Sequence, residues 1–163
     1  MENTELLDGY SHPEEVGILF QEYTQALLDE NPAFSGYLAQ QNYVHELAHL
    51  EEKYGRPAGR LYLLRYQGQT AGTVALRKID ETHCELKRLY VRPTFRGHGL
   101  AEYLVRTVLQ DAIHEGYLGR LLLDTFPFLT GAIMLYRKLG FYEVPSYNGS
   151  PMKELIYMAR DLP

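Results

Sequence analysis

The chain has 163 residues, 45% apolar and 23% charged, with a net charge of −5 at pH 7 and one cysteine, Cys84. That length and balance suit one domain over residues 1–163 with a full core. They exclude an internal disulfide, an apolar run of the ~18 residues that cross a bilayer, and the basic tract of a nucleic-acid binder. The N-terminus, Met-Glu-Asn-Thr-Glu, is acidic and lacks the apolar stretch of a signal peptide, so a reducing, cytoplasmic setting is expected. Residues 1–57 carry a net −9 and residues 58–163 a net +4. Either the first helices present solvated acidic faces, or an acidic half that attracts a cationic amine adjoins an anion-binding half.

In chain order, residues 5–10 read as a short strand. Ser11-His-Pro-Glu14 then has the pattern of a capping box, with Ser11 as N-cap and a proline in the first turn. Val16, Leu19, Phe20, Tyr23 and Leu27 mark the buried face of a helix that stops by Asn31-Pro32. Residues 32–42 read as a loop carrying Phe34 and Tyr37. Tyr43, Leu47, Leu50 and Tyr54 mark a second helix, ended by Gly55 and Pro57. Arg60 to Tyr66 and Thr70 to Ile79 form a hairpin across Gln67-Gly68-Gln69.

The stretch from Glu85 to Ala101 organises the rest. Its first half is a strand whose most apolar residues, Leu86, Leu89 and Val91, do not keep the period of two that strand faces obey. An extra residue near Lys87-Arg88, a β-bulge, accounts for the slip; so would a sheet covered on both faces, with Leu86 on the other side. The second half, Arg96-Gly97-His98-Gly99-Leu100-Ala101, is a glycine turn. It opens a helix with its apolar stripe at Ala101, Leu104, Val105, Val108, Leu109 and Ala112. A strand feeding a glycine turn and a helix N-terminus suits an anion, because the first helical N–H groups lack partners and glycine lets the backbone come close. The turn is neither a P-loop nor a full Gly-x-Gly-x-x-Gly, and by itself is equally a plain connection.

Gly116 and Gly119 flank a turn, Arg120 to Thr125 is an interior strand, and Phe128 to Leu139 a further helix capped by Gly140. Phe141 to Val144, a loop over 145–151, and Leu155 to Met158 complete an α+β chain on a mixed sheet.

Arg96-x-x-Gly99-x-Ala101, preceded by Leu-Tyr-Val-x-Pro, and the later block Ala132-Ile-Met-Leu-Tyr136-Arg-Lys-Leu-Gly140-Phe141 together resemble the GNAT N-acetyltransferase superfamily over roughly residues 60–144. The resemblance implies the GNAT fold: a mixed, mostly antiparallel twisted sheet of six to seven strands, splayed near the bulge and flanked by about four helices. It implies acetyl-CoA as co-substrate, no metal, and direct acetyl transfer to the primary amine of a small or amino-acid-like molecule. With no basic tract and no membrane-length apolar run, neither a nucleic-acid nor a membrane partner is expected, and the chain is expected as a monomer or homodimer.

In those roles, Arg96 and the N–H groups of Gly97, His98, Gly99, Leu100 and Ala101 would hold the CoA pyrophosphate. The backbone of Leu89, Tyr90 and Val91 would pair with the pantetheine amides as an added strand. Tyr136 matches the family's general acid, although a tyrosine here also suits a core. Glu85 is the candidate general base or one half of a cross-strand ion pair, with His83 and Asp124 competing for the base role. Thr130 stands where the family often has an asparagine that contacts CoA, and it also suits an N-cap. Phe34, Tyr37, Asp124, Thr125 and Tyr147 are candidates to shape the acceptor pocket.

Two rival readings remain. One is a catalytically idle acyl-CoA-binding module. The other is a zinc peptidase built on His45-Glu46-Leu-Ala-His49, which has the His-Glu-x-x-His pattern but no recognisable third ligand downstream.

Overall fold

The computed structural model describes residues 1–40, 42–150 and 152–163, with Gln40 by its backbone alone. The strands are β1 (Thr4–Asp8), β2 (Arg60–Tyr66), β3 (Gln69–Lys78), β4 (Cys84–Val91), β5 (Arg120–Thr125), β6 (Tyr142–Val144) and β7 (Ile156–Asp161). The helices are α1 (Pro13–Glu30), α2 (Phe34–Gln40), α3 (Tyr43–Ala48), α4 (Leu50–Tyr54), α5 (Leu100–His114) and α6 (Thr130–Lys138). One sheet runs in the order β1-β2-β3-β4-β5-β7-β6, antiparallel throughout except for the β4–β5 pair. α5 packs on one face, over Leu64, Leu76, Leu86 and Leu123. α1 to α4 cover the other, over Leu61, Leu63 and Ala75. With both faces covered, β2 and β4 are buried almost end to end.

The hairpin turn holds Gln67 and Gly68 at φ 51° and 77°, the mirror-image turn geometry that matches strand twist. The slip in β4 is a bulge. Thr73 pairs with Tyr90 but Ala75 pairs with Lys87, so β4 carries one extra residue there, and Arg88 sits at φ 58°. Leu86, Leu89 and Val91 therefore share the α5 face. The consecutive Lys87 and Arg88 both turn to the opposite side, where they meet Tyr37 and Glu46. β4 and β5 pair only at Cys84–Leu121 and Glu85–Leu122 and separate beyond, which opens the sheet on the carboxyl side of Glu85.

Four local expectations change. Ser11 does not cap α1: Gly9–Ser11 forms a 3₁₀ turn and His12 flanks the helix, with Pro13 first. Gly9 lies so close to β2 that a Cβ would meet Leu61 Cγ at 2.7 Å, so the turn is drawn onto the sheet. Residues 34–40 are a helix, not a loop; Phe34, Tyr37 and Leu38 recur at helical spacing and are all buried, a signal masked by Pro32 and Gly36. The helix expected over 43–54 breaks at His49 (φ −138°, ψ 58°), whose ring Nδ1 lies 3.2 Å from the His45 carbonyl. These two changes give six helices among the described residues where about four were expected. Thr130 begins α6 rather than capping it; Leu129 is the flanking residue. Gln41 and Pro151, at the ends of the two expected loops, lie outside the described residues.

Gly140 caps α6 at φ 93°. Phe141 N–H donates to the Tyr136 carbonyl and Gly140 N–H to that of Arg137, with the Tyr136 and Phe141 rings 5.6 Å apart, a complete Schellman cap. It anchors the helix that carries Tyr136.

The uneven charge also has a structural origin. Glu15 pairs with Arg65 at 2.8 Å, Glu22 with Arg92 at 2.7 Å and Glu46 with Arg88 at 2.8 Å. The acidic first segment is thus bound to the basic sheet by ion pairs, instead of only presenting solvated acidic faces.

Candidate active site

The splay between β4 and β5 is the mouth of a cleft of about 540 Å³. β4 contributes Leu86 to Val91, β5 and its exit Asp124 to Phe126, α6 Thr130 to Ala132 and Tyr136, and the α1–α2 layer Tyr23, Phe34 and Tyr37. The backbone edge of Leu89, Tyr90 and Val91 that faces β5 has no strand partner among the described residues, because β5 has diverged.

At one end lies the glycine turn. Arg96, Gly97, His98 and Gly99 are exposed, with Gly97 and Gly99 at φ 86° and 75°, values costly for any residue with a Cβ. The first helical bond of α5 runs from Tyr103 N–H to the Gly99 carbonyl, which leaves the N–H groups of Leu100 and Ala101 without helical acceptors. Arg96 Nε donates to the Val91 carbonyl at 3.0 Å, so its terminal nitrogens remain available in the cleft. The His98 ring stacks on Tyr66 at 5.0 Å, leaving its backbone to face the turn.

Tyr136 is 5% exposed and lines the cleft. Among the described residues its hydroxyl makes no hydrogen bond. Burial, with Tyr23 and the Asp124 charge nearby, raises its phenol well above the ordinary value, so it stays protonated. Asp124 accepts hydrogen bonds from the Tyr37 hydroxyl and, at 3.0 Å, from Asn148 Nδ2. Thr125 and Phe34 are buried in the cleft wall, Phe34 edge-on to Phe126 at 5.2 Å. Thr130 is exposed at the mouth.

Glu85 does not line this cleft. It faces an adjoining pocket of about 330 Å³ with Lys53, Arg77, Asn148 and Ser150; Tyr37 and Lys87 line both spaces. Its carboxylate accepts hydrogen bonds from Arg77 Nε at 2.6 Å and from the Tyr147 hydroxyl. Burial would raise this carboxyl, but the Lys87 and Arg77 charges and the Tyr147 bond outweigh burial and hold it below the ordinary value. His83 is engaged with Asp80 in the β3–β4 turn, 3.0 Å away, and lines neither space.

The His-Glu-x-x-His residues divide between two environments. His45, His49 and Glu52 are exposed and offer ligand atoms within 4.8 Å of one another, the two rings stacked at 4.1 Å. Glu46 turns inward, 3% exposed, and takes hydrogen bonds from Arg88, Lys53 and the Tyr54 hydroxyl. A peptidase base must face the metal-bound water, and Glu46 is instead committed to Arg88. Replacing His45 and His49 together by Ala is expected to leave transferase activity unchanged. Elemental analysis of the purified protein is expected to find well under one zinc per chain; one per chain would revive a metal role for the trio.

Sequence reasoning missed Tyr23, Lys87 and Arg88 as cleft residues. The broken periodicity of β4 was the available signal, because a bulge there puts two successive side chains on one face.

A model of the Acetyltransferase (GNAT) family matches residues 20–141. An uncharacterized N-acetyltransferase of Schizosaccharomyces pombe is 36% identical over 147 residues, covering 89% of this chain and 85% of that protein. The N-acetylaspartate synthetase of Danio rerio is 32% identical over 125 residues, 71% of this chain but 44% of that protein. In fold, the chain is like the PaiA N-acetyltransferase of Thermoplasma acidophilum, solved in complex with coenzyme A. The TM-score is 0.72 over 97% of this chain and 98% of that one, at 13% identity. Since the family model takes in most of the sequence, the chain belongs to the GNAT family of acyl-CoA-dependent N-acetyltransferases.

Proposed function

We propose that the protein, acting as one catalytic domain, moves acetyl from acetyl-CoA directly to the primary amine of a small, amino-acid-like molecule. One observation carries this reading: the Tyr136 hydroxyl, unbonded among the described residues, faces a cleft that has the open β4 edge on one side and the glycine turn at its end. The residues fit the co-substrate. Gly97 and Gly99 leave a cradle that a Cβ would strain, the N–H groups of the first α5 turn are unfilled, and Arg96 adds a charge suited to pyrophosphate.

Acetyl-CoA supplies a thioester carbonyl and a thiolate leaving group. Leu89 to Val91 align it as an added strand. Tyr136 donates a proton to the departing sulfur. Before attack the acceptor must lose a proton, and we assign its uptake to Asp124, which lines the cleft beside Tyr136, in preference to Glu85, which Arg77 and Tyr147 engage in the adjoining pocket. The name of the Danio rerio relative, N-acetylaspartate synthetase, supports an amino-acid-like acceptor.

Arg96→Ala is expected to weaken acetyl-CoA binding by about 1.5–3 kcal/mol, the range for a charged hydrogen bond. Gly99→Val should weaken it further, and both variants should stay folded because the turn is exposed. Calorimetry that finds unchanged affinity in either variant overturns the assignment of the turn. Binding without thiol release on a broad amine panel would favour the idle module.

A further inference from the structure

Where β4 bulges, it leaves a cation that the proposed transfer does not use. Lys87 is 6% exposed. Among the described residues its ammonium makes no hydrogen bond and no ion pair within contact distance; it faces the Tyr37 ring at 5.9 Å, and its charge acts on the Glu85 carboxylate across the adjoining pocket. It reaches into both the cleft and the adjoining pocket. Burying an ammonium that donates no hydrogen bond is costly, and the bulge places this one at the junction of the two spaces.

The surroundings are short of negative charge. Lys53, Arg77, Lys87 and Arg88 converge on this side of the sheet against two carboxylates, Glu46 and Glu85. Each of these is already hydrogen-bonded, Glu46 to Lys53 and Arg88, and Glu85 to Arg77 and Tyr147. With Asp124, which lines the cleft beside Lys87, one positive charge is left over. Asp124, in the cleft, is held by Tyr37 and Asn148.

We propose that Lys87, with Lys53 behind it, is the receptor for a carboxylate on the acceptor, so that the substrate is an amino acid and not a polyamine or a neutral amine. This rests on the transferase reading above and selects among its substrates. Lys87, Asp124 and Tyr136 all line the cleft, and the Tyr37 ring that Lys87 faces carries the hydroxyl bonded to Asp124, so the amine of an amino acid held at Lys87 enters the space those groups line. The perturbation of Lys53 has the sense such a ligand would relieve. Burial lowers the Lys53 ammonium to about 8, Glu46 opposes that, and the Lys87 charge adds to it.

The test is a matched panel: L-alanine, L-phenylalanine and L-aspartate, each beside the same molecule with every carboxyl converted to carboxamide, and 1,4-diaminobutane. Turnover is followed by thiol release, and binding to the CoA-loaded protein by calorimetry. At least one free acid is expected to show a KM and Kd roughly 10–100-fold below its amide, the worth of one charged hydrogen bond. Lys87→Met is expected to raise KM for that acid to the level of the amide, with kcat and acetyl-CoA affinity little changed and a lower Tm, because Lys87 also offsets the buried Glu85 charge. Lys87→Arg should recover most of the preference. A merely structural lysine would move Tm and leave the acid–amide ratio alone.

The inference is overturned if amides or 1,4-diaminobutane are bound or acetylated as well as the acids, if Lys87→Met keeps the preference, or if no member of the panel binds or turns over. The transferase reading falls separately, through failure of the protein to bind acetyl-CoA.

Discussion

Tyr136→Phe is expected to lower kcat by about 10²–10⁴, the usual worth of a positioned proton donor, while acetyl-CoA affinity and Tm stay near those of the parent. The substitution removes one oxygen that has no hydrogen bond among the described residues, so nothing buried is orphaned. The ring still packs on Phe141, and the Schellman cap that fixes α6 is made by backbone. Because burial raises the phenol, the donor is fully protonated through the neutral range, and the deficit should hold constant with pH there. Asp124→Asn should behave differently: its deficit should shrink at high pH, where more of the amine is already neutral. Glu85→Gln should show no such recovery if its carboxylate serves Arg77 and Tyr147 instead of the amine. Single-turnover rates across pH decide among these. Near-normal kcat in Tyr136→Phe would return the residue to core packing.

The second large effect concerns folding. Glu46→Gln is expected to destabilise the protein by about 3–5 kcal/mol, the cost of leaving a buried ion pair half-made, and to lower Tm by roughly 6–20 °C. Arg88 and Glu46 are 5% and 3% exposed and joined by two hydrogen bonds of 2.8 and 2.9 Å. Without the carboxylate, Arg88 keeps its charge in a buried setting after losing the acceptor of two of its hydrogen bonds. The double variant Glu46→Leu with Arg88→Met should recover much of the loss, since an apolar pair of similar volume carries no stranded charge. A pH dependence follows. Burial opposes ionisation of Glu46, but the Arg88 bonds and the charges of Arg88 and Lys53 outweigh it and hold its carboxyl near 2, below the ordinary 4.5. The pair's contribution is therefore complete above about pH 4.5 and lost as pH falls toward 2. Glu46→Gln should flatten that part of the acid-unfolding curve. A Tm for Glu46→Gln equal to that of the parent would mean that the other contacts of Arg88, the Tyr43 ring among them, suffice to hold its charge.

The histidine pair shows how short motifs mislead. His-Glu-x-x-His was legible in the sequence and chemically suggestive, but the direction of Glu46 depends on Arg88, a residue on another element that a β-bulge turns to that side. No local reading of residues 45–49 contains that information.

Much of the fold lay in local pattern. The bounds of β2 and β5, the apolar stripe of α5, the glycine cap of α6 and the slip in β4 were all readable, because periodicity, turn chemistry and positive-φ glycines act over a few residues. The two signature blocks around Arg96 and Tyr136 were legible for the same reason. Tertiary structure alone decided the rest. α2 and the break at His49 arise where weak helical signals are settled by packing. The pairing of the acidic first segment with arginines of the sheet, the bond of Tyr147 to Glu85 and the approach of Lys87 to the Tyr37 ring all join residues far apart in the chain. Burial and desolvation, which set the protonation of Tyr136, Glu46 and Glu85, exist only once distant segments have closed around them.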